Sequence, residues 1–273
     1  MAFPWTKFAE AGPFFLGSKS KYRIHSPFVF GFINFFEQSK LTNLPNFNFI
    51  EAKRLTYLSN HQKVDFTHIG GGSRVLSSSP SKTVKQISSS AVSSKTKSHL
   101  IYRLAEFICP TKVIEIGTSL GINSMYLASL PNTNFVGIEP VDFFYNETKK
   151  NLIELGLIES CKLYHGKFQE ILPHQNFKEG EKVFIYFDGD HTKQAVIQLI
   201  DLISKWKSIE LFALMDDIRW SKEMLEGWRL FKDSSAVSLS LDMFQLGLVS
   251  TVSKHQKEEF KIYNRKIFYS LLN

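Results

Sequence analysis

The spacing of apolar residues changes near residue 98. From residue 99 onward, short apolar runs alternate with amphipathic stretches. KVIEI, NFVGIE, CKLYHG, KVFIYFD and LFALMD read as strands. LGINSMYLASL, FFYNETKKNLIELG, TKQAVIQLIDLISKW and SKEMLEGWRLF, which lie between or after them, carry the 3.6-residue period of helices. IYRLAEFI is a further helix, stopped by Pro110. Strands alternating with helices predict an α/β fold: a Rossmann-like, doubly wound, mostly parallel sheet with helices on both faces. The last two apolar runs, in AVSLSLDMFQLGLVSTV, have no helix between them. They predict an antiparallel hairpin at one edge and bring the expected sheet to seven strands.

The first part of the chain is less regular. Phe28, Phe32, Phe35 and Phe36 recur at helical spacing behind Ser26 and Pro27, an N-cap and first-turn pair, and predict a helix over 27–38. LTNLPNFNF reads as a loop, and Gly70–Gly72 as a turn. The Ser/Lys-rich tract 77–98 reads as a mobile linker or as short capped helices, and Val84, Ile87 and Val92 give it enough apolar character to favour the helices. The expected division is a basic, Phe-rich, mainly helical extension or lid over 1–93 and a ligand-binding domain over 94–273.

Charge sharpens this division. Residues 1–103 hold 14 Lys+Arg and 4 Asp+Glu, a net of +10; residues 104–273 hold 19 and 22, a net of −3. A basic arm of this kind suits a polyanion, an acidic substrate or a solvated surface. No basic–aromatic nucleic-acid motif accompanies it, so RNA is the lesser alternative. Two cysteines, Cys109 and Cys161, make no disulfide framework and are expected as buried free thiols in a cytoplasmic protein. No apolar run reaches the roughly 20 residues that span a bilayer.

Four places carry chemistry. In VIEIGTSLGINSMYLA (113–128) a strand ends in a glycine turn that opens a helix, the position where doubly wound sheets bind ligands. Gly117 and Gly121 allow close backbone approach, and the helix N-terminus offers free N–H groups. The dinucleotide pattern is not met: Ser119 stands at its second glycine, and the strand end carries an acid, Glu115. An acid there repels pyrophosphate but suits the ammonium and sulfonium of S-adenosylmethionine (SAM). The second place is Glu139, 18 residues beyond Gly121, which can take both ribose hydroxyls of an adenosine. The third and fourth are YFDGDH, with Asp188, Asp190 and His191, and LMDDIRW, with Asp216 and Asp217. Asp188, Asp216 and Asp217 could converge as an oxygen site for Mg²⁺, and His191 is a candidate general base. Alternatively, Asp190 and Asp217 cap the helices that follow them.

EIGTSLG, the acid of GIEP, FDGDH and MDDIRW occur here in that order. In this the chain resembles class I SAM-dependent methyltransferases, particularly the catechol and caffeoyl-CoA O-methyltransferases and the bacterial sugar O-methyltransferases, over about residues 94–252. RIHSPFVFGFIN and DFTHIGGGS are similar to uncharacterised bacterial members. The resemblance implies O-methylation of a small-molecule acceptor. SAM would be held at Glu115, Gly117, Thr118, Ser119 and Gly121, its ribose at Glu139, and its adenine beside Phe168 or Gln169. Asp188 and His191 would act at the acceptor, with Asp188, Asp216 and Asp217 at the metal position. Two departures stand out: the third metal position is Asp217 where Asn is common, and His191 replaces the usual basic residue. A homodimer, a polyanion methyltransferase and a non-catalytic adenosine-binding protein on the same fold remain open.

Overall fold

Residues 5–65, 81–252 and 256–272 are described by a computed structural model. The triple glycine and most of DFTHIGGGS lie outside them. Helices α1 (Trp5–Gly17), α2 (Pro27–Gln38) and α3 (Phe47–Ser59) come first. Strands β1 (Lys63–Asp65) and β2 (Ser81–Thr83) then form a small antiparallel pair, followed by α4 (Val84–Ala91) and α5 (Lys95–Ile108). The alternating part runs β3 (Lys112–Ile116), α6 (Ile122–Ala128), β4 (Asn134–Glu139), α7 (Asp142–Glu154), β5 (Cys161–His165), α8 (Phe168–Ile171), β6 (Lys182–Phe187), α9 (Lys193–Ile203), β7 (Glu210–Met215) and α10 (Lys222–Asp233). β8 (Leu239–Asp242), β9 (Gly247–Ser250), β10 (Glu258–Lys261) and α11 (Arg265–Leu272) close the chain.

The main sheet has the order β10-β8-β9-β7-β6-β3-β4-β5. The five strands from β7 to β5 are parallel, and β9 pairs antiparallel with both β7 and β8. The expected seven strands and hairpin are present, but the sheet has eight strands. The eighth, β10, adds parallel to β8 at the edge. Its sequence, EEFK, has a single apolar residue, Phe260, so no alternation announces it. From β3 the chain runs outward to β4 and β5, then returns to β3's other side as β6. The switch point of the sheet therefore lies between β3 and β6.

Side chains alternate across each strand and divide the core in two. Val113, Phe184, Tyr186, Leu214 and Leu248 face the N-terminal helices. Ile114, Ile116, Ile185, Phe187 and Met215 face α9 and α10. α2 sets Val29, Phe32, Ile33 and Phe36 on one buried stripe, each contributing about 1.5–3 kcal/mol on burial. Phe28 stacks on Phe212 at 5.4 Å, which locks α2 to β7. Ser26 has the extended backbone of an N-cap, but its hydroxyl does not cap α2; it donates to Glu258 at 2.8 Å. α3 occupies part of the expected loop. Its buried positions Ile50, Arg54 and Tyr57 include a charged residue, which hides the helical period. The Ser/Lys tract does form short helices. α4 opens on a capping box between Thr83 and Gln86, and α5 on Ser94, whose hydroxyl accepts from the Lys97 N–H. Both thiols are free, but neither is fully buried as expected: Cys161 is half-buried, and Cys109 is exposed in the left-handed turn ending α5. Among the described residues, no helix is long and apolar enough to cross a membrane.

Candidate active site

Register brings the predicted acids together. Ile116 pairs with Ile138 and with Phe187, and Phe187 pairs with Met215. The next residue on each strand, Glu139, Gly117, Asp188 and Asp216, therefore falls in one row across four adjacent strands. The row continues the ladder: the N–H of Gly117 donates to Ile138, that of Asp188 to Ile116, and that of Asp216 to Phe187, each at 2.9 Å. Alternation puts Glu115, Glu139, Asp188 and Asp216 on the sheet face covered by the N-terminal helices.

The loop after β3 is tightly held. Glu139 accepts from the backbone N–H of Ser119 at 2.9 Å and of Val141 at 3.0 Å. Thr148 donates to the Thr118 hydroxyl and the Ser119 carbonyl. Gly117 has φ +87°, and a β-carbon there would lie 2.7 Å from the Asp188 carbonyl oxygen. Gly121 has φ +75°, and its β-carbon would lie 3.0 Å from Thr148. Sequence reasoning assigned these glycines to ligand approach; the structure shows that close packing of the loop on β6 and α7 requires them. Ser119 itself takes φ +48°. Its hydroxyl oxygen is buried and has no hydrogen-bond partner among the described residues.

Glu115, Gly117, Thr118, Ser119 and Asp188 line a cavity of about 10 Å³, room for about one water. Residues 91–93, at the end of α4, close its other side. Among the described residues, no Lys or Arg lines it. Burial drives the Glu115 carboxyl well above the ordinary carboxylate range. Ser124 opposes this by donating to it, while the charges of Asp188 and Glu139 reinforce it. Burial also lifts Glu139 to about 7, against the lowering effect of its backbone N–H partners. Phe168 is not brought to this cavity; it packs edge-on against Phe187 in the core on the opposite face. Gln169 bonds to Gln198 at 2.9 Å.

The second half of the site centres on a lysine that sequence reasoning left in the solvated tract. Lys97 of α5 sets its ammonium 2.6 Å from Asp216 Oδ1 and 3.9 Å from Asp217 Oδ1. Burial alone would lower its pKa, but Asp216, Asp217 and Asp188 outweigh burial and raise it. The Tyr186 hydroxyl lies 2.5 Å from Asp216 Oδ2 and 3.1 Å from Asp188 Oδ2. The Asp217 N–H donates to Asp216 Oδ1 at 2.6 Å. Asp216 is lifted to about 6 by burial, with Lys97 opposing. His191 Nε2 stands 3.6 Å from Asp188 Oδ1, and its buried Nδ1 has no partner among the described residues. Burial lowers the His191 pKa, but Asp188 and then the neighbouring aspartates outweigh this and raise it. Asp190 and Asp217 do not cap the next helices. Thr192 caps α9 and Ser221 caps α10.

The Mg²⁺ expectation does not fit these residues. Both Asp216 oxygens are engaged, by Lys97 and the Asp217 N–H on one side and by Tyr186 on the other. Among the described residues, no three His, Cys, Asp or Glu side chains are arranged to hold a metal. Lys97 was detectable in principle: it falls on the stripe of Ile101, Leu104 and Ile108, the buried face of α5. Asn123 was also missed. It accepts from Ser98 at 2.7 Å and donates to Ser93 and Tyr186, tying α5 and residue 93 to the sheet.

The chain shares its Rossmann-like architecture with solved proteins that include methyltransferases bound to S-adenosylhomocysteine (SAH). Cofactor-bound Rv0187 from MTB is 15% identical with a TM-score of 0.54, covering 78% of this chain and 94% of that one. The SAH-bound methyltransferase PaMTH1 of Podospora anserina is 13% identical with a TM-score of 0.51, covering 75% and 95%. The O-methyltransferase of Bacillus cereus in complex with SAH is 16% identical with a TM-score of 0.50, covering 59% and 82%. No family model matches the chain, and no curated protein matches it.

Proposed function

We propose that the chain is a SAM-dependent methyltransferase acting on a hydroxyl oxygen of a small molecule. The observation that carries this reading is the switch-point cavity, which presents Glu115 and Asp188 and no Lys or Arg among the described residues. A buried carboxyl whose charge is suppressed by burial gains from a cationic ligand, whereas a phosphate would find no Lys or Arg among the described lining residues. The orphaned Ser119 hydroxyl supplies a hydrogen-bonding group with no protein partner. The solved methyltransferases named above share the fold. Glu115, Gly117, Thr118, Ser119 and Gly121 would border the amino-acid end of SAM, and Glu139 its ribose.

Bound SAM supplies a methyl group on a sulfonium. Transfer of that methyl to the acceptor oxygen would leave SAH, the carbon–sulfur electron pair staying on sulfur. The protein's part is alignment and removal of the hydroxyl proton. His191, neutral above its raised pKa, takes that proton, and Asp188 holds the imidazole from the other side. Residues 1–93 serve as the cover and 94–273 as the cofactor domain. Because the cavity holds only about one water, residues 91–93 withdraw when the cofactor enters. Calorimetry with SAM, SAH and NAD⁺ tests the reading: micromolar binding of the first two and none of NAD⁺ is expected. Heat from NAD⁺ alone would overturn it.

A further inference from the structure

We infer that Lys97 is the permanent cation of this site, its ammonium replacing a divalent ion among Asp188, Asp216 and Asp217, so that the transfer runs without a metal. The inference rests on the methyltransferase reading for its role in catalysis, but the replacement itself stands on geometry.

Three carboxylates lie at the tips of two adjacent strands, Asp188 after β6 and Asp216 and Asp217 after β7, with Asp216 fully buried. Left unpartnered, they would repel strongly. A hard divalent ion is one solution: it recruits six or more oxygen ligands at 2.0–2.6 Å, taking lone pairs from each acid. Here both oxygens of the central acid, Asp216, are already engaged. Lys97 reaches Asp216 at 2.6 Å, its side chain only 13% exposed. Its stem runs along the buried stripe of α5, so the ammonium is delivered by the packing of a whole helix. The Tyr186 hydroxyl bridges Asp216 and Asp188 from below. A metal entering this cluster would have to expel a buried ammonium, leaving that charge without a partner in a low-dielectric interior.

The exchange alters what the site can do. A metal offers several open positions and can chelate two substrate oxygens at once. An ammonium has three N–H donors, of which one is directed at Asp216. Lys97 therefore suits an acceptor engaged through a single oxygen, and a vicinal pair of hydroxyls gains no chelate advantage. Lys97 acts as a positioning residue: it holds Asp216 and its neighbours in place beside the reacting groups.

Mn²⁺ titration followed by electron paramagnetic resonance tests this on the full chain, comparing wild type, Asp216→Asn, Lys97→Ala, and Lys97→Ala with Asp216→Asn. Wild type is expected to retain no Mn²⁺ at millimolar concentration. Lys97→Ala, which takes the ammonium off Asp216 and lets the three carboxylates draw in around a cation, should gain Mn²⁺ binding, and adding Asp216→Asn should abolish the gain. A merely structural lysine would not create a metal site when removed. Mn²⁺ retained by wild type and lost in Asp216→Asn would overturn the inference. So would a folded Lys97→Ala that retains none. Should Lys97→Ala fail to fold by circular dichroism, Lys97→Met keeps the packing stem and takes its place. SAH calorimetry in EDTA on the same samples reports separately on the cofactor reading: its failure would remove the catalytic role and leave the Mn²⁺ result standing.

Discussion

Glu115 is buried at 1% exposure, accepts from Ser124 and lines the cavity. Burial disfavours the charge of its carboxyl, so Glu115→Gln should change the melting temperature little. The same substitution should weaken SAM about 10- to 100-fold, the equivalent of a hydrogen bond to a charged group at about 1.5–3 kcal/mol, and calorimetry beside thermal melting separates the two effects. Glu139 makes a pH prediction. Its pKa of about 7 lies above the ordinary carboxylate value, so its contribution to the stability of the unliganded protein is full at low pH and lost as pH rises through 7. A cationic ligand favours the charged form and releases the proton, so SAM affinity should climb with pH toward 7 and level off above it. A flat profile by calorimetry between pH 5 and 8 would contradict this. At this scale the sequence disclosed the acids, because each ends an apolar strand. It concealed Lys97, because the Ser/Lys composition of its tract masks the stripe it shares with Ile101, Leu104 and Ile108.

The strand–turn–helix unit of β3 and α6 was legible because an apolar run, two glycines and a helical period adjoin. Why the glycines are needed was not, since Asp188 and Thr148 are distant in sequence. Gly121→Ala would place a β-carbon against Thr148 at φ +75° and should cost about 1–3 kcal/mol in denaturant unfolding. At the other end of the sheet, Arg219 lies in the MDDIRW segment but turns away from the acids. It makes a two-pronged pair with Asp242 at 2.8 and 2.7 Å and donates to the Phe244 carbonyl. Phe14 and Phe244 flank its guanidinium at 5.1 and 5.2 Å. Removing one partner of a buried pair strands the other, so Arg219→Ala should destabilise the protein by about 3–5 kcal/mol, measured by urea unfolding. β10 escaped the sequence reading for the opposite reason: an edge strand of mostly charged residues needs little burial to pair.

Across the whole molecule, the cover and the sheet are parts of one device. Arg54 of α3 donates to the Ser93 carbonyl and to Ser98, and Asn123 links Ser93 and Ser98 to Tyr186 beneath the aspartates. Among the described residues of 1–103, Lys21, Lys53, Arg54, Lys97 and Arg103 are ion-paired within the chain. Two of them, Lys53 and Lys97, pair with Glu154 and Asp216 and so spend part of the positive excess on joining α3 and α5 to the sheet domain. The doubly wound order was visible in the alternation of runs, whereas the closure of residues 91–93 over the cavity depends on contacts among α3, α5 and α6 that no local pattern encodes. A crystal structure grown with SAH tests the central claim most directly. The account predicts the ligand's amino-acid end beside Glu115 and Ser119, its ribose at Glu139, and residues 91–93 displaced outward. SAH seated elsewhere, or residues 91–93 still closed over Glu115 with SAH at saturating concentration, would contradict it.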